Sequence, residues 1–246
     1  MRSWLLGCSY VFAVTLLSPA VLLAADGEDG EEILSRAKLV AELSDDFENP
    51  QWSFDPEAGV SSNGLWKTGM RGAPETCERV APAHGGLPGQ EGALLLRTVD
   101  QDDDGWPRQE DLVTRPYDKV LDHNLERASL PVLTARLYVP PIDEEGPAWS
   151  VLGLRVEARS TNEEVDIPRY YPSLWVVQYN QPDEDKVGNY LRVRLGDGHA
   201  PDHWIGELGG PGWYTLGLAF DAEGVGHYFA RKGVEPLTLQ DKVYET

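Results

Sequence analysis

From residue 90 onward, apolar and polar side chains alternate with a period of two. Leu152, Leu154, Val156 and Ala158 interleave with Gly153, Arg155, Glu157 and Arg159, and Leu191, Val193 and Leu195 with Tyr190, Arg192 and Arg194. Tyr214, Leu216, Leu218 and Phe220 alternate in the same way with Trp213, Thr215, Gly217 and Ala219. Side chains of an extended chain point to opposite faces in turn, so these segments predict half-buried strands. Residues 93–99, 132–139, 174–180 and 225–230 add further strands, each bounded by Gly, Pro, Asp or Asn turn clusters. No long amphipathic helix interrupts them and no fixed-period repeat appears. The pattern predicts an all-β chain of antiparallel strands closing as a sandwich rather than as a propeller or solenoid.

The N-terminal region reads differently. Arg2 is followed by a mostly apolar run from Leu5 to Leu23, then Leu23-Ala24-Ala25 and the acidic stretch Asp26-Gly27-Glu28-Asp29-Gly30-Glu31-Glu32. A short positive start, an apolar stretch and small residues at its end predict a signal peptide over residues 1–25 and hence an exported protein, secreted, periplasmic or on the cell surface. Residues 26–39 read as an acidic spacer and lead-in. Within them and just beyond, Ile33, Leu34, Ala37, Leu39, Val40 and Ala41 fall near helical spacing and predict a short helix. Residues 40–246 are expected to form one sandwich domain, for which a chain of this length can bury a sufficient core.

Charge narrows the partners. The 41 acidic residues outnumber the 21 Lys and Arg, a net charge of −20, and loss of Arg2 with the leader makes the exported chain one unit more negative. Such a chain repels phosphate backbones and anionic lipid headgroups, which argues against nucleic acid or membrane insertion after leader removal and leaves neutral sugars or cations as partners. Cys8 lies in the leader, so Cys77 is the one thiol of the remaining chain and has no internal disulfide partner. Its acidic neighbours in Pro74-Glu75-Thr76-Cys77-Glu78 raise a thiol pKa rather than activate it.

Two segments carry a resemblance. Leu43-Ser44-Asp45-Asp46-Phe47-Glu48-Asn49-Pro50-Gln51-Trp52 resembles the opening of secreted concanavalin A-like, laminin-G-like domains, in which a first strand bears an acidic pair and Phe and is followed by a Trp. Gly212-Trp213-Tyr214-Thr215-Leu216-Gly217-Leu218-Ala219-Phe220-Asp221, with Gly224 and His227-Tyr228-Phe229-Ala230, is similar to their penultimate hairpin, whose aromatic line fills the space between sheets. The resemblance implies an antiparallel jelly-roll β-sandwich over most of residues 40–246. It implies no one activity, because the architecture hosts lectins, glycosidases, lyases and adhesion modules. It also implies a last strand beyond the hairpin, and residues 241–246 carry no strand pattern. The expected fold therefore lacks that strand, leaving either an open sheet edge or a sequence that is a piece of a longer protein.

Candidate chemistry is sparse. Glu164-Val165-Asp166 resembles the start of the Glu, Asp, Glu strand of sandwich-fold retaining glycosidases, which sets two catalytic carboxyls about 5 Å apart. The resemblance implies Glu164 as nucleophile and Asp166 as helper. Pro168 and Arg169 stand where the acid would be, so no catalytic site assembles and a polar loop is the competing account. Asp100, Asp102, Asp104 and Asp111, with Gly105 at the turn, have the spacing of a Ca²⁺ loop, though Pro107 and a terminal Asp rather than Glu depart from it. Asp197, His199, Asp202 and His203 share one segment that reads either as a polar loop or as a transition-metal loop. Trp106 beside Arg108, and Trp204 beside Asp202, are candidate sugar platforms, since a sugar offers C–H faces to indole rings and hydroxyls to neighbouring polar groups. Trp175 and Trp213 are expected in the core. The residues thus favour a glycan-binding or adhesion module, in which the Asp100–Asp111 segment reads either as a structural Ca²⁺ loop or as an acidic surface loop. A glycoside hydrolase or lyase and a cell-surface structural protein are the alternatives.

Overall fold

The computed structural model describes residues 12–15, 34, 44–68, 74–97, 112–114, 131–143, 149–156, 158–159, 169–194, 202–221 and 224–245. In chain order the strands are β1 (Phe12–Thr15), β2 (Phe54–Asp55), β3 (Val60–Ser61), β4 (Trp66–Thr68), β5 (Thr76–Val80), β6 (Ala93–Arg97), β7 (Leu112–Thr114), β8 (Val132–Val139) and β9 (Trp149–Arg155). They continue as β10 (Ala158–Arg159), β11 (Arg169–Tyr170), β12 (Ser173–Gln181), β13 (Lys186–Arg194), β14 (His203–Glu207), β15 (Gly212–Phe220), β16 (Gly226–Lys232) and β17 (Lys242–Glu245). The chain is all-β and its pairings are antiparallel, as the period-two pattern predicts.

Two sheets pack on a common core. A seven-stranded sheet has the order β17-β16-β15-β8-β1-β6-β5, and a four-stranded sheet has the order β14-β13-β12-β9; beside them, short strands pair in the order β2-β3-β4-β7, and β10 pairs with β11. Leu137, Tyr214, Leu216, Leu218 and Tyr228 of the first sheet meet Leu152, Leu154, Leu174, Val176, Leu191 and Val193 of the second. The Tyr228 hydroxyl spans the gap to donate to the Arg194 carbonyl at 3.1 Å. Turn chemistry matches the hairpins. Between β12 and β13, Pro182 opens a single 3-10 turn and Asp185 closes it at φ +55. Between β15 and β16, the Asp221 carboxylate accepts the Val225 amide at 2.8 Å and the His227 ring at 2.9 Å.

Strand β15 departs from the half-buried expectation, because Trp213, Thr215 and Ala219 are buried as well as the core-facing set. Over β8, β15 and β16 the outer face of the seven-stranded sheet is covered. Trp213 donates to the Ala83 carbonyl at 2.8 Å and packs on Tyr138, while Thr215 donates to the Gly233 carbonyl at 3.0 Å. A Cβ at Gly217 would stand 2.4 Å from Leu237. Leu34, the one described residue of the predicted N-terminal helix and helical here, packs with Leu237 on Val132, Ala219 and Phe229. The aromatic line of this hairpin is therefore divided: Tyr214 and Tyr228 lie between the sheets, Trp213 and Phe229 on the covered outer side.

The segment expected as a first strand is also different. Residues 44–49 make no ladder and fold around Asp45, which is 7% exposed. Its Oδ2 accepts from Trp66 Nε1 at 2.7 Å, Asn63 Nδ2 at 2.7 Å and Trp52 Nε1 at 3.1 Å, and its Oδ1 accepts the Phe47 amide at 3.1 Å. Phe47 is wholly buried at φ +57, edge-on to Trp52. Gly92 is required beside it, since a Cβ there would fall 1.8 Å from the Phe47 carbonyl oxygen. Replacing Asp45 with Ala strands three side-chain donors and is expected to cost at least about 3 kcal/mol. That corresponds to a melting temperature lower by roughly 6–12 °C. A calorimetric scan showing no loss would remove Asp45 from the stability of the core.

The two ends of the chain bear on sheet closure. Residues 242–245, where the sequence showed no strand pattern, form β17 on the edge next to β16, with Tyr228 opposite Tyr244. Only half-buried Val243 and Tyr244 meet the core, too short a run for an alternation to stand out. At the other end, β1 lies inside the predicted leader and pairs with β6 through Val14 opposite Leu94 and with β8 through Val14 opposite Leu137. Cleavage after residue 25 would remove β1 and leave β6 and β8 with unpaired ladder groups, a template for another strand. Residues 26–246 are therefore expected to melt below residues 1–246 and to sediment as oligomers; equal melting and a monomer would show that β1 contributes nothing to closure.

Candidate functional site

The outward face of the four-stranded sheet gathers the aromatic and cationic side chains that the core excludes. With Leu174, Val176, Leu191 and Val193 turned inward, the pleat turns Trp175, Tyr179, Tyr190, Arg192 and Arg194 outward. Trp175 lies opposite Arg192, and Arg192 opposite Trp204 of β14, whose pairing is irregular between Leu191 and Arg192. Trp204 is 53% exposed. Its ring centroid is 5.8 Å from that of Tyr179 and 6.4 Å from that of Tyr190, which are themselves 5.9 Å apart.

The guanidiniums continue this surface. Arg192 Cζ stands 5.0 Å from the Trp175 centroid and 5.5 Å from that of Trp204, and Arg194 Cζ is 4.3 Å from Trp175. Both arginines hold Asp202. Arg194 donates from Nε to Oδ1 at 2.8 Å and from Nη2 to Oδ2 at 3.3 Å, and Arg192 Nη2 pairs with Oδ2. Arg192 Nε is buried and has no acceptor among the described residues. Glycines make room for the rings: a Cβ on Gly153 would meet the Leu174 carbonyl oxygen at 2.2 Å and Trp175 Cδ1 at 2.9 Å, and one on Gly188 would press on the Tyr190 ring at 3.2 Å. Beneath the face a buried amide pair pins the register, with Gln178 Nε2 donating to Asn189 Oδ1 at 2.9 Å and to the Pro140 carbonyl at 2.8 Å.

The sequence candidates divide around this surface. Trp204 is in it, on a strand rather than the loop expected of it. Trp213 is in the packed interior as expected, whereas Trp175 is not in the core but half-buried on the outward face, where two arginines flank its ring. Asp202 and His203 do not act together as a metal loop. Adjacent positions of an extended chain point apart, so Asp202 meets the arginines while the His203 ring lies against Tyr244 at 5.6 Å. Trp106, Arg108, Glu164, Asp166 and the Ca²⁺-loop residues Asp100, Asp102, Asp104 and Asp111 lie outside the described residues, as do Asp197 and His199. Among the described residues no three His, Cys, Asp or Glu side chains converge on a metal position. The residues missed by sequence reasoning are Trp175, Tyr179, Tyr190, Arg192 and Arg194. Their signal was the non-core half of the alternation in β12 and β13.

Comparison with known protein families, curated proteins and solved structures finds no match to this chain. The site therefore stands on its own geometry. Among the described residues no helix is long and apolar enough to cross a membrane.

Cys77 is not part of the surface. It sits on β5 opposite Leu96, and burial first, then the Glu78 charge, pushes its thiol pKa from 9.0 up to about 12. At pH 8 the folded protein is expected to react with a thiol reagent more than about a hundredfold slower than the chain in denaturant, because so little thiolate forms. The raised pKa means that the folded state holds the proton longer than the unfolded chain. This contribution to stability is whole below pH 9.0 and declines as pH rises toward about 12. Urea titrations at pH 8 and 10 should show the decline, smaller in Cys77→Ala; rapid native labelling would contradict it. Burial raises the pKa of Tyr138, Tyr214 and Tyr228 as well, with the same sign.

Proposed function

We propose that this protein is an exported, concanavalin A-like jelly-roll module that binds a polysaccharide or glycoconjugate on the outward face of its four-stranded sheet. The observation that carries this reading is Trp204, more than half exposed within a surface shared with Tyr179 and Tyr190. An exposed indole held by neighbouring rings costs water-ordering without gaining burial, and a sugar's C–H face is the complement that such a surface accepts. Arg192 and Arg194 beside it supply planar donors for ring oxygens and substituents. Supporting rigidity comes from the core-packed underside and the Gln178–Asn189 pair, which let the rings bind without first being ordered. The reading is binding rather than turnover, with neither nucleic acid nor a lipid bilayer as the partner of so acidic a chain.

The test is electrophoresis through gels cast with polysaccharides, together with assay of the medium for released reducing ends. Retardation without release is expected. Trp204→Ala is expected to weaken it by about tenfold or more, the equivalent of about 1.4 kcal/mol. The melting temperature should move by less than about 2 °C, since the removed ring is exposed. Release of sugar ends would make the protein a glycosidase or lyase; unretarded migration in every gel would overturn the reading.

A further inference from the structure

Resting on the glycan-binding reading of this same face, we infer that its ligand carries a carboxylate: a uronic-acid glycan rather than a neutral one. The inference comes from how charge is distributed beside Trp204. Among the described residues, two guanidiniums, Arg192 and Arg194, share the carboxylate of Asp202 beside Trp175, while Glu207 lies further along the face opposite Tyr190, so two positive charges meet one negative charge at the Asp202 end. In a chain of net charge −20 that surplus is local and opposed to the whole.

A site for neutral sugars places acceptors where hydroxyls donate. Here the carboxylate beside the rings already receives three N–H donors, two from Arg194 and one from Arg192. What remains is donor capacity. Arg192 Nε is buried and closed to a ligand, but the side chain as a whole is 22% exposed and its guanidinium stands between the indoles of Trp175 and Trp204, held for in-plane recognition through its outer edge. Asp202 shows what the pair grips: a planar carboxylate, taken by Arg194 through two parallel bonds. A uronate stacked on Trp204 would present the same group to the remaining N–H groups, one negative charge against one surplus positive charge. Salt screens the chain's overall negative field beyond about 8 Å at physiological ionic strength, so the close pair governs the contact.

The test uses gels cast with polygalacturonate, with the same polymer methyl-esterified, with a neutral β-glucan and with a sulfated galactan. Retardation is expected to be strongest in polygalacturonate, at least about tenfold weaker after esterification, and to fall between about 50 and 300 mM salt. Arg192→Gln should weaken retardation more in polygalacturonate than in the ester and so narrow the gap between the two gels, whereas Trp204→Ala should weaken both alike. Arg194→Gln serves in its place if Arg192→Gln does not fold by near-UV circular dichroism. Equal retardation by polygalacturonate and its ester overturns the carboxylate inference while leaving a glycan-binding protein. Preference for the sulfated galactan overturns it in favour of sulfate recognition. Migration unaltered in all four gels overturns glycan binding itself.

Discussion

A single buried carboxylate organises the part of this protein that its strands do not. Asp45 collects two indole N–H groups and an asparagine amide on one oxygen and a backbone amide on the other. Without it, Trp52 and Trp66 would each bury a polar N–H with no acceptor, at about 1–3 kcal/mol apiece. With it, both indoles enter the same core as Leu152, Leu154, Leu191 and Val193. The fold at residues 44–49 is then locked from outside. Arg79 donates to the Phe47 carbonyl at 2.5 Å, and the Glu48 carboxylate receives the Glu91 and Gly92 amides. The left-handed Phe47 backbone is a local cost that these contacts offset.

That core is also the floor of the candidate site. Each residue of β12 and β13 that anchors it has an immediate neighbour on the outward face, so Leu174 and Val176 flank Trp175, and Leu191 and Val193 flank Arg192. A slip of one residue would exchange the two sets and bury the arginines. The Gln178–Asn189 pair resists such a slip, because moving either strand would leave buried amides without partners. Rigidity of the rings and arginines is therefore inherited from burial beneath them.

The two sheets differ in what they offer outside the core. Over β8 and β15, the segments around Ala83 and Val234 close the outer face of the seven-stranded sheet, with Tyr138 and Trp213 beneath them. The four-stranded sheet keeps Trp204 and its neighbours half-exposed. The acidic chain thus carries a small cationic and aromatic field on one sheet. Its overall charge serves solubility.

Strand type and position were legible in the sequence wherever the alternation ran for several residues, as in β8, β12, β13 and β15. Period two is a local property of an extended chain, which is why it could be read without a structure. The four-residue β17 and the covered outer face of β15 were not legible, because the first is too short for a period and the second depends on segments 233–237 and 82–86, distant in the chain. The site divided in the same manner. Exposure of Trp204 beside a charged residue was visible locally, but the convergence of Tyr179, Tyr190, Arg192 and Trp175 on it required three strands in register. Asp202 and His203 show the limit most directly: neighbours in sequence, they were separated onto opposite faces by the pleat. The sequence by itself determined which residues are apolar, acidic or aromatic and the period on which they recur; only the tertiary structure decided which of them meet, because contacts between strands depend on register and sheet order.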